Sequence, residues 1–258
     1  MRIVLSTFYT NKMEEIVIQA DKLTKKFGDF IATNAITFQV HKGEIFGFLG
    51  ANGAGKTTAM RMLCGLSIPS SGDAKVAGFD VYKETESIKK NIGYMSQKFS
   101  LYEDLTVVEN IRFFGGIYGL SDNEIKAKTE ELVKRLGLTS VRKKLVVDLP
   151  LGWKQKLSFS IAIIHQPRIV FLDEPTGGVD PLTRRQFWEL IYEAAHNGIT
   201  VFVTTHYMDE AEYCDRLSIM VDGMIKALDS PKNLKEQFQV TSMDQVFYKL
   251  ARQATRSE

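Results

Sequence analysis

The sequence predicts an α/β protein whose central strands are mostly parallel, with a helical lobe inserted between them. Three observations predict it. Short apolar runs, many β-branched or aromatic, alternate along the chain with helix-forming segments. One of them, Ile45-Phe46-Gly47-Phe48-Leu49, runs straight into a glycine-rich loop and then a helix. From about Phe99 to Lys144 the pattern turns mainly helical, and strand signals resume only at Ile169.

The elements follow in order. Ile16-Val17-Ile18-Gln19-Ala20 reads as a strand, and Ala35 to Val40 alternates as a second strand before a turn at Gly43-Glu44. The strand Ile45–Leu49 precedes a helix from Lys56 to about Leu63, and Ser67 to Ser71, with Pro69, makes a turn. Glu124 to Leu136 is amphipathic, and Ser121 with Glu124 supplies a capping box at its start. Strands return at Ile169–Leu172 and Thr200–Val203. Leu217 to Val221 and Met224 to Leu228 form a hairpin around Asp222-Gly223. Ser230-Pro231 opens one C-terminal helix, and Ser242 with Gln245 caps another.

Bulk properties narrow the function. The 258 residues suit one large domain or two small lobes, and 44% hydrophobic with 25% charged residues is ordinary for a globular chain. Lys plus Arg total 33 against 31 acidic residues, so the net charge of +2 gives no nucleic-acid footprint. Cys64 and Cys214 stand apart, outside any metal or disulfide pattern, which fits a reducing compartment. No apolar stretch of membrane-spanning length occurs, and Ile3-Val4-Leu5 is too short for a signal-peptide core. The expectation is a cytoplasmic protein in which residues 1–12 are a loose extension.

Gly50-Ala51-Asn52-Gly53-Ala54-Gly55-Lys56-Thr57, followed by Thr58, fits the phosphate-loop pattern at every fixed position. Glycines let backbone N–H groups converge on phosphate oxygens, and the following helix points its positive end at the same anion. Lys56 supplies a charge to the terminal phosphates, and the Thr57 hydroxyl is placed to ligate Mg²⁺. Further on, Phe171-Leu172-Asp173-Glu174-Pro175 ends an apolar strand in two carboxylates, a costly arrangement without a cation. Asp173 would hold the Mg²⁺ through water, and Glu174 would accept a proton from the attacking water. ATP and Mg²⁺ are the expected ligands.

With these motifs in this order, nearly the whole chain resembles the ATP-binding-cassette (ABC) family. The resemblance implies a P-loop NTPase fold with a RecA-like core, an antiparallel β subdomain and an inserted helical subdomain at about 98–149. It implies an ATP-binding domain over 13–232 and a short helical tail over 233–258. Phe27 sits where the family stacks an aromatic on adenine. Gln97 matches the switch glutamine that senses Mg²⁺ and nucleotide, Asp180 the loop that crosses to a partner subunit, and His206 the switch histidine. Thr205-His206-Tyr207-Met208-Asp209-Glu210-Ala211-Glu212 and the C-terminal tail are most similar to ATPase subunits of type-2 exporters. The implied partners are an integral-membrane permease and a second ATPase subunit, and the implied location is the cytoplasmic face of the membrane. Phe99, Leu101, Tyr102, Leu105, Ile111, Phe113, Phe114 and Tyr118 are candidate lining for the permease contact, most of them core.

The chain departs from the family at one motif. Where the family has Leu-Ser-Gly-Gly-Gln, this sequence has Leu149-Pro150-Leu151-Gly152-Trp153, ahead of a helix from about Trp153. In the family this segment closes over ATP held by the other subunit. Pro150 offers neither hydroxyl nor N–H, so a charge-assisted hydrogen bond on the order of 1.5–3 kcal/mol is lost. A homodimer with two variant sites is favoured, with a heterodimer as the alternative. The rival functions are a soluble ABC ATPase acting on ribosomes or DNA and a regulatory cassette without turnover.

Overall fold

A computed structural model describes residues 15–97 and 101–252. The expected extension over residues 1–12 lies outside the described residues, as does Phe99. The chain runs β1 (Ile16–Phe27), β2 (Phe30–His41), β3 (Ile45–Leu49), α1 (Lys56–Leu63), β4 (Ser71–Val76) and β5 (Phe79–Asp80). It continues through α2 (Thr85–Asn91), β6 (Ile92–Met95), α3 (Val107–Ile117), α4 (Asp122–Arg135), α5 (Leu151–Ala162) and β7 (Ile169–Asp173). The last part is α6 (Pro181–His196), β8 (Thr200–Thr205), β9 (Arg216–Val221), β10 (Met224–Asp229), α7 (Pro231–Gln237) and α8 (Met243–Arg252). Among the described residues no helix is long and apolar enough to cross a membrane.

The elements form two sheets, β2-β1-β4-β5 and β10-β9-β3-β8-β7-β6. The first is antiparallel, whereas β6, β7, β8, β3 and β9 of the second run parallel. Every residue of β3, β7 and β8 is buried, as a parallel sheet covered on both faces requires. On one face Phe46, Phe48, Phe171 and Phe202 meet Phe38 of β2 and the apolar side of α1. Phe48 and Phe171 each approach the Phe202 ring to 5.3 Å between centroids. On the other face Val170, Leu172, Val201 and Val203 pack against Phe159 of α5 and Phe187, Trp188 and Ile191 of α6.

Several elements outrun their sequence signals. β1 and β2 each extend over 12 residues, because bulges interrupt the alternation. Register shifts fall between Ala20 and Leu23 and between Leu23 and Lys25, and Lys22 and Ala35 have φ of 49°. β4 (Ser-Gly-Asp-Ala-Lys-Val) carries almost no strand propensity and is held by pairing with β1.

The helical lobe has its own core, in which Leu101, Val107 and Ile111 pack against Leu132, Val133 and Leu149. Leu157 and Ile161 of α5 join that core, so the lobe extends past residue 149. Its capping box at Ser121–Glu124 is present, and a second joins Thr106 to Glu109. α5 starts at Leu151, two residues before the expected Trp153, with Pro150 in the extended N-cap position.

The C-terminal helices pack on the main sheet in a cluster of their own. Leu234, Met243, Val246 and Leu250 pack on Leu49, Leu217 and Ile219, under the strand that feeds the glycine-rich loop. Leu234 is fully buried. Leu234→Ala is therefore expected to cost about 2–5 kcal/mol of stability, read as a lowered midpoint in a thermal or urea melt.

Candidate active site

The glycine-rich loop leaves β3 and is shaped by close backbone approaches. A Cβ at Gly50 would lie 2.5 Å from the Met220 carbonyl oxygen. At Gly55, where φ is 102°, it would lie 2.3 Å from that of Ala32. The loop is pinned from outside by the β9–β10 turn. Gly223 N–H donates to the Ala54 carbonyl (3.1 Å), and Asn34 N–H donates to the Gly223 carbonyl (2.8 Å). Asp222 and Gly223 both have positive φ, as a tight hairpin turn demands. The result is an open cleft of about 450 Å³ lined by Phe30, Asn52, Gly53, Lys56, Thr57, Thr58, Gln97 and Glu174, among others.

Of the remaining loop residues, Ala51 is exposed and Ala54 is buried against the core. Phe27 is 55% exposed at the end of β1, with the Lys25 ammonium 5.1 Å from its ring centroid. The aromatic that lines the cleft is its hairpin partner Phe30, also 55% exposed. Either face is available for stacking on a flat heterocycle.

The charged centre sits where four parallel strands end together. Glu174 follows β7 with φ of 48°, so the chain turns sharply between the two carboxylates. One Glu174 oxygen lies 3.2 Å from the Lys56 ammonium. The other accepts from Gln97 Nε2 (3.1 Å) and meets His206 Nδ1 at 2.9 Å. A carboxylate oxygen accepts, so Nδ1 carries the proton in this contact. Lys56 is buried and also donates to the carbonyls of Gly50 (2.8 Å) and Ala51 (3.1 Å).

Asp173 lies deeper, 2% exposed, and accepts from the hydroxyls of Thr57 (3.1 Å) and Thr204 (2.6 Å). Burial pushes its carboxyl above the usual carboxylate range; the two hydroxyl bonds oppose the shift, Glu174 adds to it, and Lys56 opposes it. A desolvated carboxylate beside a threonine hydroxyl is a hard-oxygen donor set that fits Mg²⁺. Among the described residues no group of three or more His, Cys, Asp or Glu side chains could hold a metal alone.

The residues expected to face a second subunit are split by burial. Leu149 is buried and Trp153 packs against the same lobe core. Pro150 and Leu151 are exposed. Gly152 is held by an intrachain contact, since a Cβ there would lie 2.5 Å from Thr183 Cγ2. Asp180 caps α6, accepting from Thr183 N–H (3.0 Å) and Thr183 Oγ1 (2.5 Å). The start of α5 and the Asp180 loop thus form one continuous surface.

Sequence reasoning missed Thr204, which sits beside Asp173 in the parallel register of β7 and β8. It also missed Thr176, Arg184 and Glu210, which meet beneath Glu174 and His206. A fully buried carboxylate at Glu210 is the signal that finds them, and it is legible only once burial is known.

A family model described as ABC transporter matches residues 33–177. The probable multidrug ABC transporter ATP-binding protein YbhF of Escherichia coli (strain K12) is 51% identical over 223 residues, 86% of this chain. This chain spans only 39% of that protein's length. The linearmycin resistance ATP-binding protein LnrL of Bacillus subtilis (strain 168) is 37% identical over 219 residues, 84% of this chain and 70% of its own. A solved structure of an ATP binding subunit of an ABC transporter superposes with TM-score 0.82 at 27% identity, covering 91% of this chain and 99% of its own.

A carboxyl whose pKa is raised by folding stabilises the fold below its unfolded value and loses that contribution as pH rises through the folded value. At neutral pH Asp173 is therefore a destabilising charge. Asp173→Asn keeps an oxygen for Thr57 and Thr204. It should melt higher than the parent at pH 7, with the gap closing as pH falls toward the ordinary carboxylate range, and it should hydrolyse no ATP. Melting curves across pH and a phosphate-release assay check both.

Proposed function

The chain belongs to the ABC transporter ATP-binding family, and from that premise we propose that it is the ATP-hydrolysing subunit of an exporter, driving a separate membrane permease from the cytoplasmic face. The observation that carries the reading is the Glu174 carboxylate held among Lys56, Gln97 and His206 at the mouth of the phosphate loop. The names of its relatives, multidrug and linearmycin resistance, support export.

In this reading the charged centre is paired within the chain. Every oxygen of Glu174 faces a donor, and Lys56 is held by two loop carbonyls as well. ATP phosphates compete for the Lys56 ammonium and for the loop N–H groups at the start of α1. That releases one Glu174 oxygen to accept the proton of a water, while His206 Nδ1–H fixes the other. Thr57, Asp173 and Gln97 would hold Mg²⁺, which when bound neutralises charge on the β- and γ-phosphates. Phe27 or Phe30 supplies a ring face to adenine.

Two subunits would then close head to tail. Each contributes Pro150, the N–H groups at the start of α5, Gly152 and the Asp180 loop to the other's ATP. The first N–H groups of α5 have no partner within their own helix and the helix dipole adds to them, so closure survives the loss of a serine hydroxyl at position 150. The exposed rings of Tyr102 and Phe113, with centroids 4.8 Å apart, offer an apolar spot on the helical lobe for a permease helix. A homodimer needs no further component and is the simpler arrangement.

Glu174→Gln removes the base and keeps the shape. Turnover should fall about 10²–10⁴-fold, ATP binding should persist, and ATP should drive the variant into dimers on size exclusion. Lys56→Ala should lose binding and turnover together. Nucleotide-bound Glu174→Gln that stays monomeric at saturating ATP would count against self-pairing. A pull-down from native membranes that returns ribosomal or DNA-processing partners and no polytopic protein would overturn the transporter reading.

A further inference from the structure

Behind the Glu174–His206 pair lies a second carboxylate with no part in the scheme above. Glu210 is completely buried, in the turn that follows β8. Its Oε1 accepts from Thr176 Oγ1 (2.5 Å) and its Oε2 from Thr205 Oγ1 (2.6 Å). Thr176 and Thr205 are themselves 1% and 2% exposed. Thr205 Oγ1 in turn accepts from Tyr207 N–H (3.0 Å). Thr176 follows Glu174 closely in the chain, and Thr205 and Tyr207 flank His206. One carboxylate therefore fastens both backbone segments that carry the reacting pair.

Burying a carboxylate is costly without compensation, and a purely structural tie between two loops would be cheaper with neutral groups. The compensating charge comes from Arg184 in the first turn of α6. Its Nε lies 3.5 Å from Glu210 Oε1, and its Nη1 donates to Asp209 Oδ2 at 3.3 Å. The guanidinium carbon stands 4.0 Å from the Tyr207 ring centroid, and the Tyr207 ring lies 4.2 Å from that of His206. Arg184 N–H also donates to the Asp180 carbonyl (3.0 Å), so the guanidinium rides on the helix turn that Asp180 caps. A chain of contacts leads from the Asp180 loop through Arg184 to Tyr207, Glu210 and His206.

We propose that Glu210 and Arg184 are positioning residues for ATP hydrolysis, holding Glu174 and His206 in register and making that register depend on the Asp180 loop. The proposal rests on the reading of this chain as an ATPase. Glu210 acts through Thr176 and Thr205 and touches no nucleotide. Arg184 transmits displacement of the loop to the imidazole through the Tyr207 ring. A network of this kind has stakes larger than any one of its bonds, because a half-satisfied buried carboxylate leaves both loops without their tie.

The test uses the full chain and four variants: Glu210→Gln, Arg184→Gln, His206→Ala and Arg184→Gln with His206→Ala. ATPase kcat and KM, affinity for a fluorescent ATP analogue, and melting temperature are measured on each. The expected result for Glu210→Gln is a kcat at least 10-fold lower, with analogue affinity within about 2-fold and a cooperative melt retained. Arg184→Gln should lower kcat in the parent and change little further in the His206→Ala background, since its effect passes through that imidazole. Unchanged kcat in a folded Glu210→Gln or Arg184→Gln overturns the proposal. So does loss of affinity in step with kcat, or a full Arg184 effect in the absence of His206. If Glu210→Gln does not fold, the Arg184 pair decides alone, its side chain being 18% exposed at the edge of the network. A parent chain that binds the analogue and never turns over would instead sink the ATPase reading itself.

Discussion

Two adjacent carboxylates at the buried end of β7 are the constraint on which the rest of the structure depends. Negative charge there is tolerable only if other segments bring donors to it. Lys56 arrives from the loop after β3, Gln97 from the segment after β6, and Thr204 and His206 from the end of β8. All four strands are parallel neighbours, so their carboxyl ends open on one edge, and that edge is where ligands collect in such sheets. The cleft is therefore a consequence of the electrostatics of β7 as much as of the glycine-rich loop.

That dependence explains the order of the packing. β3, β7 and β8 are buried on both faces, so their ends are fixed by two cores and move little. The helical lobe has a separate core and meets the sheet mainly through α5. The C-terminal helices brace Leu49 and Ile219 from beneath, next to the Met220 carbonyl that limits position 50 to glycine. Rigid strand ends and a lobe with its own core allow one part to swing while the charged centre stays assembled.

What was legible in the sequence was whatever is local. The phosphate loop is contiguous, so its pattern, strand and helix were readable together, and α1 runs over Lys56–Leu63 as expected. The capping box at Ser121 and the Asp222-Gly223 hairpin are equally local. β4 was not legible, because pairing with β1 overrides the poor propensity of Ser-Gly-Asp-Ala-Lys-Val. Neither was the bulged length of β1, whose alternation breaks at Lys22. Within the site, Lys56, Asp173, Glu174, Gln97 and His206 are brought together, but Thr204 and Glu210 depend on strand register and burial that no single segment encodes. Phe27 and Phe30 show the same limit, since which ring faces the cleft is set by the β1–β2 hairpin.

The altered segment at 149–153 follows from the same separation of roles. Leu149 and Trp153 belong to the lobe core, and Gly152 is fixed by Thr183 of its own chain. Those positions are constrained whether or not a second subunit ever docks. Only Pro150 and Leu151 are exposed and free of such ties. Pro150 suits its N-cap place, with φ of −54° and ψ of 146°, and its carbonyl accepts from Trp153 and Lys154 N–H. Proline there stiffens the entry to α5 and removes a hydroxyl in one step. α5 starts at Leu151 with Pro150 as its N-cap, so the helix start does not depend on a hydroxyl at position 150. Two of the departures from the family motif, Pro150 and Leu151, thus fall on exposed positions, and the third, Trp153, packs into the lobe core.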